Sequence, residues 1–180
     1  MKYSVLILSI FFVITLLGGC ADSNTLNDAI TNYKERDKEI NDLINYYLSK
    51  TPVDQSIMFG LGKGESFNLG IALSGGRIDA QRPAKGGINI AKKSTIADSL
   101  LRSINWTNEI VDSITFKLKA SKCVSITNGE PIRLAYNRNG LTQYTYLIYS
   151  TPLPDSTLSR KGVKEGVINN RVIVSRFSGL

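Results

Sequence analysis

Histidine is absent from this 180-residue chain. That removes Ser-His-Asp and Cys-His catalysis, His-based zinc sites and any imidazole proton shuttle. Two cysteines remain for covalent chemistry, Cys20 and Cys123. Lys119 and Lys122 stand close enough in sequence to lower the pKa of Cys123, which would make it a nucleophile. Its place in an apolar run with Val124 and Ile126 reads instead as a buried, inert thiol, and a bond between two chains is a third reading. No lysine follows a serine by three residues, so the S-x-x-K pattern of Ser-Lys hydrolases does not occur. Beyond residue 55 there are eight acids, Glu65, Asp79, Asp98, Glu109, Asp112, Glu130, Asp155 and Glu165. Any two could serve as a glycosidase-like pair if the fold brought them across a cleft. The glycine-rich stretch Phe59 to Ser66 fails the phosphate-loop spacing, because Ile57 stands at the first glycine position and Gly64 follows Lys63 where Ser or Thr belongs. It reads as a flexible connection between strands. No cofactor and no metal is expected.

The most distinctive local cluster runs from Ser74 to Lys93, with Arg77, Arg82, Lys85, Lys92 and Lys93 against Asp79 alone. Two Gly-Gly pairs within it, Gly75-Gly76 and Gly86-Gly87, give a permissive backbone that could present amides and guanidinium groups to an anion. Arginine grips phosphate or carboxylate with two bonds, which favours Arg77 and Arg82 over the lysines. A solvated basic loop is the plainer reading. Nucleic acid is not expected as a partner, since no aromatic residue interleaves these cations.

The elements that would carry this chemistry begin at the N-terminus. Lys2 precedes a 13-residue run, Val5 to Leu17, which Gly18, Gly19 and Cys20 follow. At about 1.5 Å per helical residue the run falls well short of a roughly 30 Å hydrocarbon core, so it fits an export signal better than a membrane span. Leu17-Gly18-Gly19-Cys20 resembles the lipobox of bacterial envelope lipoproteins, in which a dedicated peptidase cuts before a cysteine already carrying diacylglycerol. The resemblance covers only about the first twenty residues. It implies that residues 1–19 are a signal peptide and that Cys20 is the lipidated first residue of the mature chain. Two or more acyl chains give stable membrane anchoring. Ala21 stands where, in enteric lipoproteins, Asp favours retention in the inner membrane, so the resemblance points to the outer membrane, facing the periplasm. An uncleaved anchor helix and an ordinary signal peptide cut near Gly19 are the alternatives.

After the anchor and linker, residues 20–24, the charge is uneven. Residues 21–55 hold four cations and seven acids, and residues 56–180 hold seventeen cations and eight acids. An acidic segment thus carries a basic body. In an envelope such a body is drawn to lipid head groups, lipopolysaccharide phosphates and wall polymers by a salt-screened field, or is merely kept soluble by it. Residues 25–51 read as one amphipathic helix. Thr25 or Asn24 caps it, and Leu26, Ile30, Tyr33, Asp37, Ile40, Ile44 and Tyr47 recur at steps of four and three. Thr51-Pro52 ends it. The stripe either packs on the body, or serves in a stalk, or forms an interface with a second copy or an envelope protein.

Residues 52–180 change to short runs punctuated by Gly and Asn. Strands are expected at Ser56 to Phe59, Ser66 to Leu73, Gly87 to Ala91, Ser113 to Lys119, Lys122 to Thr127, Ile132 to Tyr136, Thr142 to Ser150, Val163 to Ile168 and Arg171 to Phe177. One short helix is expected from Ser94 or Thr95 to Ile104. Asn128-Gly129, Asn139-Gly140 and Asn169-Asn170 tolerate the positive φ of tight hairpins, and consecutive hairpins imply an antiparallel sheet. Tyr144, Tyr146 and Ile148 alternate with Thr145, Leu147 and Tyr149, which fits either a strand covered on both faces or a tyrosine-lined binding face. The expected fold class is α+β, an N-terminal helix followed by a mainly antiparallel sheet domain. The expected function is a membrane-anchored, non-enzymatic binding or assembly component of the cell envelope; the alternative is a periplasmic hydrolase using carboxylates or Cys123.

Overall fold

Eight strands join in one antiparallel sheet in a computed structural model that describes residues 25–73, 85–139, 142–161 and 165–178. The chain runs through helices α1 (Leu26–Glu35) and α2 (Asp37–Lys50) into strands β1 (Gln55–Leu61), β2 (Ser66–Leu73) and β3 (Lys85–Ala91). Helices α3 (Thr95–Arg102) and α4 (Asn108–Ala120) precede β4 (Cys123–Thr127), β5 (Ile132–Asn139) and β6 (Thr142–Ile148). Helix α5 (Asp155–Lys161) leads to β7 (Gly166–Asn169) and β8 (Val172–Ser178). The strand order is β3-β2-β1-β4-β5-β6-β8-β7, and every neighbouring pair is antiparallel. The α+β class expected from the sequence is the one observed.

Alternation sets the layers. Ile57 and Phe59 of β1, Phe67 and Leu69 of β2, Ile126, Leu134, Tyr146 and Val174 share one face of the sheet. That face forms a single core with Ala29, Ile40, Leu43, Tyr47, Ala97, Leu101, Val111, Ile114 and Leu118 from the first four helices. Each large apolar side chain fully buried there contributes about 1.5–3 kcal/mol. Across the sheet, Ala135, Thr145, Leu147, Ile173 and Ser175 are buried as well. Strands β5, β6 and β8 are therefore covered on both sides, and the tyrosines of β6 are packing residues: Tyr146 is fully buried, with its ring edge-on to Tyr33 at 5.2 Å.

Three expectations need correction. The helix over residues 25–51 is two helices, broken at Arg36 (φ −125°, ψ 28°). The break lets the Arg36 Nη1 donate to the carbonyl of Ala120 at 2.8 Å while the Asn32 side chain donates to the carbonyl of Ser121 at 3.2 Å. These are carbonyls at the C-terminal end of α4 that its own ladder leaves unpaired, and a cation suits the negative end of a helix. Residues 113–119 are not a strand but the second half of α4. Val111, Ile114 and Leu118 turn into the core at helical spacing, and Phe116 stays 72% exposed. The domain also holds α5, so one short helix understates its helical content.

The N-terminal stripe faces inward. Tyr33, Ile40, Ile44 and Tyr47 are buried, and Leu26 and Ile30 are packed partly buried against the same core. The Tyr47 hydroxyl donates to the carbonyl of Ile57 at 2.6 Å, and the Trp106 indole N–H donates to the carbonyl of Lys50 at 2.8 Å. The residues expected as a candidate interface with a second copy or partner are thus spent on the chain's own sheet. Neither a stalk nor a free apolar seam is left along them.

Candidate functional site

The lipobox-like residues Leu17, Gly18, Gly19 and Cys20 lie outside the described residues, which begin at Thr25. The Thr25 side chain accepts from the amide of Asp28 at 3.2 Å, while the amide of Thr25 donates to the Asp28 carboxylate at 2.7 Å. This reciprocal cap fixes the start of α1 and holds the Asp28 carboxyl below its ordinary range, chiefly through the Thr25 backbone bond. Residues 21 to 25 separate Cys20 from the first helical residue, Leu26, a reach of at most about 22 Å for six extended steps. The helix then lands on the edge of the sheet. A methyl group added to Gly166, the first residue of β7, would stand 2.9 Å from Ile30 Cδ1 and 3.0 Å from Leu26 Cδ1. A side chain there would make the ends of Ile30 and Leu26 shift.

Of the basic cluster, Lys85, Lys92 and Lys93 are among the described residues. Arg77 and Arg82 lie outside the described residues. Lys85 opens β3 and is exposed, and Lys92 and Lys93 follow its other end. Seven residues at about 3.3 Å each put roughly 23 Å between Lys85 and Lys92, too far to share a small anion. Lys92 is moreover engaged by Asp112. The second Gly-Gly pair has a local structural reason: Gly86 sits at φ +148°, where a Cβ would come within 2.0 Å of the Leu69 carbonyl oxygen. The glycine-rich stretch at Phe59 to Ser66 is a closed hairpin turn, tighter than expected. The Gly62 amide donates to the Ser66 carbonyl at 3.2 Å, the Ser66 hydroxyl donates to the Lys63 carbonyl at 2.6 Å, and Gly64 takes φ +61°.

Cys123 has none of the features of an activated nucleophile. It is 1% exposed, its Sγ donates to the Ser121 carbonyl at 3.5 Å, and burial pushes its thiol up to about 12. Lys119 and Lys122 are exposed and the sulfur is not, so desolvation outweighs any cationic field. The carboxylates are dispersed among separate partners. Asp112 is held by Lys92, Glu130 accepts from the Ser150 amide at 3.1 Å, and Glu165 accepts from the Ser175 hydroxyl at 2.8 Å.

Two adjoining shallow concavities, about 460 and 430 Å³, share Asp98 and Arg102 of α3. The second continues along Asn105, Trp106, Thr107 and Glu109 at the start of α4. Asn105 has φ +56°, which turns the chain between the helices, and the Thr107 side chain holds the Glu109 carboxyl below its ordinary range. Trp106 is 4% exposed, so it forms the floor and offers no open stacking face. The lining of the second concavity carries one guanidinium, Arg102, and two carboxylates, Asp98 and Glu109. Asp98 and Arg102, four apart on one helix face, were the only trace of this in sequence, and that spacing is common on solvated helices. Comparison with protein-family models, with curated proteins and with solved structures finds no match to this chain.

Proposed function

We propose that the chain is a lipid-anchored lipoprotein of the bacterial cell envelope, non-enzymatic, which holds its α+β domain against the membrane for binding or assembly. The observation that carries this reading is Leu17-Gly18-Gly19-Cys20 behind a short apolar run, with a capped, packed helix beginning at Leu26. Signal, lipidation site and domain follow one another with five residues between the cysteine and the helix. Two or more acyl chains on Cys20 supply stable anchoring. Ala21 supports the outer membrane, periplasmic side, as the location. Because α1 lies on the sheet, the domain sits close to the bilayer, within the short reach of residues 21 to 25.

The hydrolase alternative loses its thiol, since a buried Cys123 with a strongly raised pKa is a poor nucleophile at neutral pH. In the Arg77 to Lys93 region, Lys92 is paired with Asp112, while Lys85 and Lys93 are exposed at opposite ends of β3. Fractionation of cells expressing the native chain and Cys20→Ser tests the anchor. The native chain should pellet with membranes and release only in detergent, and the variant should lose that behaviour; equal partitioning of the two would overturn the proposal.

A further inference from the structure

The β1–β4 pairing is the seam of the sheet. It joins the block β3-β2-β1 to the other five strands, and its register covers only Met58 with Thr127, Phe59 with Ile126 and Gly60 with Ser125. Asn128, the residue after β4, lengthens that seam with its side chain. Its Oδ1 accepts from the Ile57 amide at 2.6 Å, and its Nδ2 donates to the Gln55 carbonyl at 2.8 Å. Its own amide donates to the Ile57 carbonyl at 3.3 Å. The carboxamide thus does what a peptide unit of a longer β4 would do, presenting an acceptor and a donor to β1. An aspartate in its place would keep the acceptor and lose the donor.

Gly129 follows Asn128, is exposed and takes φ +139°. With no Cβ, glycine leaves its amide nitrogen open to the preceding side chain. We propose that Asn128-Gly129 is a site of spontaneous deamidation, closed while the Asn128 carboxamide is held on β1 and open when the end of β4 leaves it. In the reaction the Gly129 nitrogen loses its proton and bonds to Asn128 Cγ, the Cγ–Nδ2 bond breaks and ammonia departs, leaving a cyclic imide. Water then opens either imide carbonyl and gives aspartate or isoaspartate, so that carboxamide and water become carboxylate and ammonia. Attack on Cγ requires the side chain to turn back on its own backbone, and both bonds to β1 must break first. The product is permanent. Either carboxylate places an oxygen where the Gln55 carbonyl needs a donor, and isoaspartate also lengthens the main chain. Each reaction thus records an opening of the seam and prevents its full reclosure. None of this depends on the anchor at Cys20.

The test compares rates at one site. The full chain is incubated at pH 8, folded in mild detergent and unfolded in 6 M guanidinium, and the peptide holding Asn128 is followed by mass spectrometry. A reaction that proceeds only from the open form tracks the population of that form. Two ordinary hydrogen bonds given up together correspond to about thirtyfold, so deamidation at Asn128 should be at least that much slower in the folded chain. Folded and unfolded rates within about threefold of each other would mean that no opening is needed and would overturn the proposal; so would an Asn128 that stays intact in guanidinium. The consequence is read in Asn128→Asp by urea unfolding. Its unfolding equilibrium constant should rise about tenfold, the effect of leaving one acceptor unpaired, and an unchanged constant would overturn the role of the carboxamide in the seam. The rate comparison needs no variant and stands even where Asn128→Asp fails to fold.

Discussion

Replacing Tyr146 by phenylalanine removes one oxygen and tests whether α1 belongs to the domain. The Tyr146 hydroxyl is fully buried, donates to the carbonyl of Ala29 at 2.8 Å and accepts from the Asn32 side chain at 3.1 Å. Both partners are in α1, and the tyrosine is on a central strand. In Tyr146→Phe the ring still fills its place against Tyr33 and Tyr136, so no cavity opens. The Asn32 amide keeps its bond to Ser121 and loses the other, inside a site that water does not reach. An unmade buried bond of this kind costs about 1–3 kcal/mol. For a chain of this size that is a fall in Tm of about 2–4 °C per kcal/mol. With an m-value of about 2 kcal/mol/M, a 2 kcal/mol loss moves the urea midpoint down by about 1 M. The measurement is equilibrium urea unfolding of the mature chain carrying Cys20→Ser, with tyrosine and tryptophan fluorescence and far-ultraviolet circular dichroism as paired probes. A change below about 0.5 kcal/mol, the range of surface substitutions, would refute the placement of α1 on the sheet and restore a free helical stalk.

Three further outcomes follow from the same packing. Ile40→Asp, which would disperse a helix-mediated oligomer, should instead unfold the monomer, because Ile40 is fully buried in the core and an unpaired buried charge costs several kcal/mol; circular dichroism with size-exclusion chromatography separates the two. Cys123 in the folded chain should react with a thiol reagent at pH 8 about a thousandfold more slowly than in 6 M guanidinium, given a thiol pushed up to about 12. The same shift fixes a sign: the unfolded chain releases this proton first, so stability falls as pH rises from about 9 towards 12. The buried hydroxyls of Tyr47 and Tyr146, raised by desolvation, add to that alkaline loss. Gly86→Ala should open the β2–β3 pairing, since its methyl group would stand 2.0 Å from the Leu69 carbonyl oxygen; faster amide hydrogen exchange confined to β2 and β3 is the expected result, and unchanged exchange would contradict the register.

The sheet was legible in the sequence because alternation and turn residues agree there. Strand β2 runs from Ser66 to Leu73 as expected, and Gly129 takes φ +139° in the turn predicted at Asn128-Gly129. The errors fall where two periods compete. Ser113 to Lys119 alternates polar and apolar with two β-branched residues, which reads as a strand. The wider window shows Val111, Ile114 and Leu118 on one helical stripe, and only the core that accepts those three decides between the readings. The break at Arg36 was invisible because its cause is tertiary: a carbonyl 84 residues away receives the guanidinium. The lipobox resemblance rests on local sequence alone, and its residues lie outside the described residues.

Acylation at Cys20 is tested by the intact mass of the native chain extracted from membranes. The native chain should begin at Cys20 and be heavier than its sequence by two or three fatty acyl chains and a glycerol, the excess lost on Cys20→Ser. A mass that retains residues 1–19, or one that begins near Cys20 without added lipid, would contradict it.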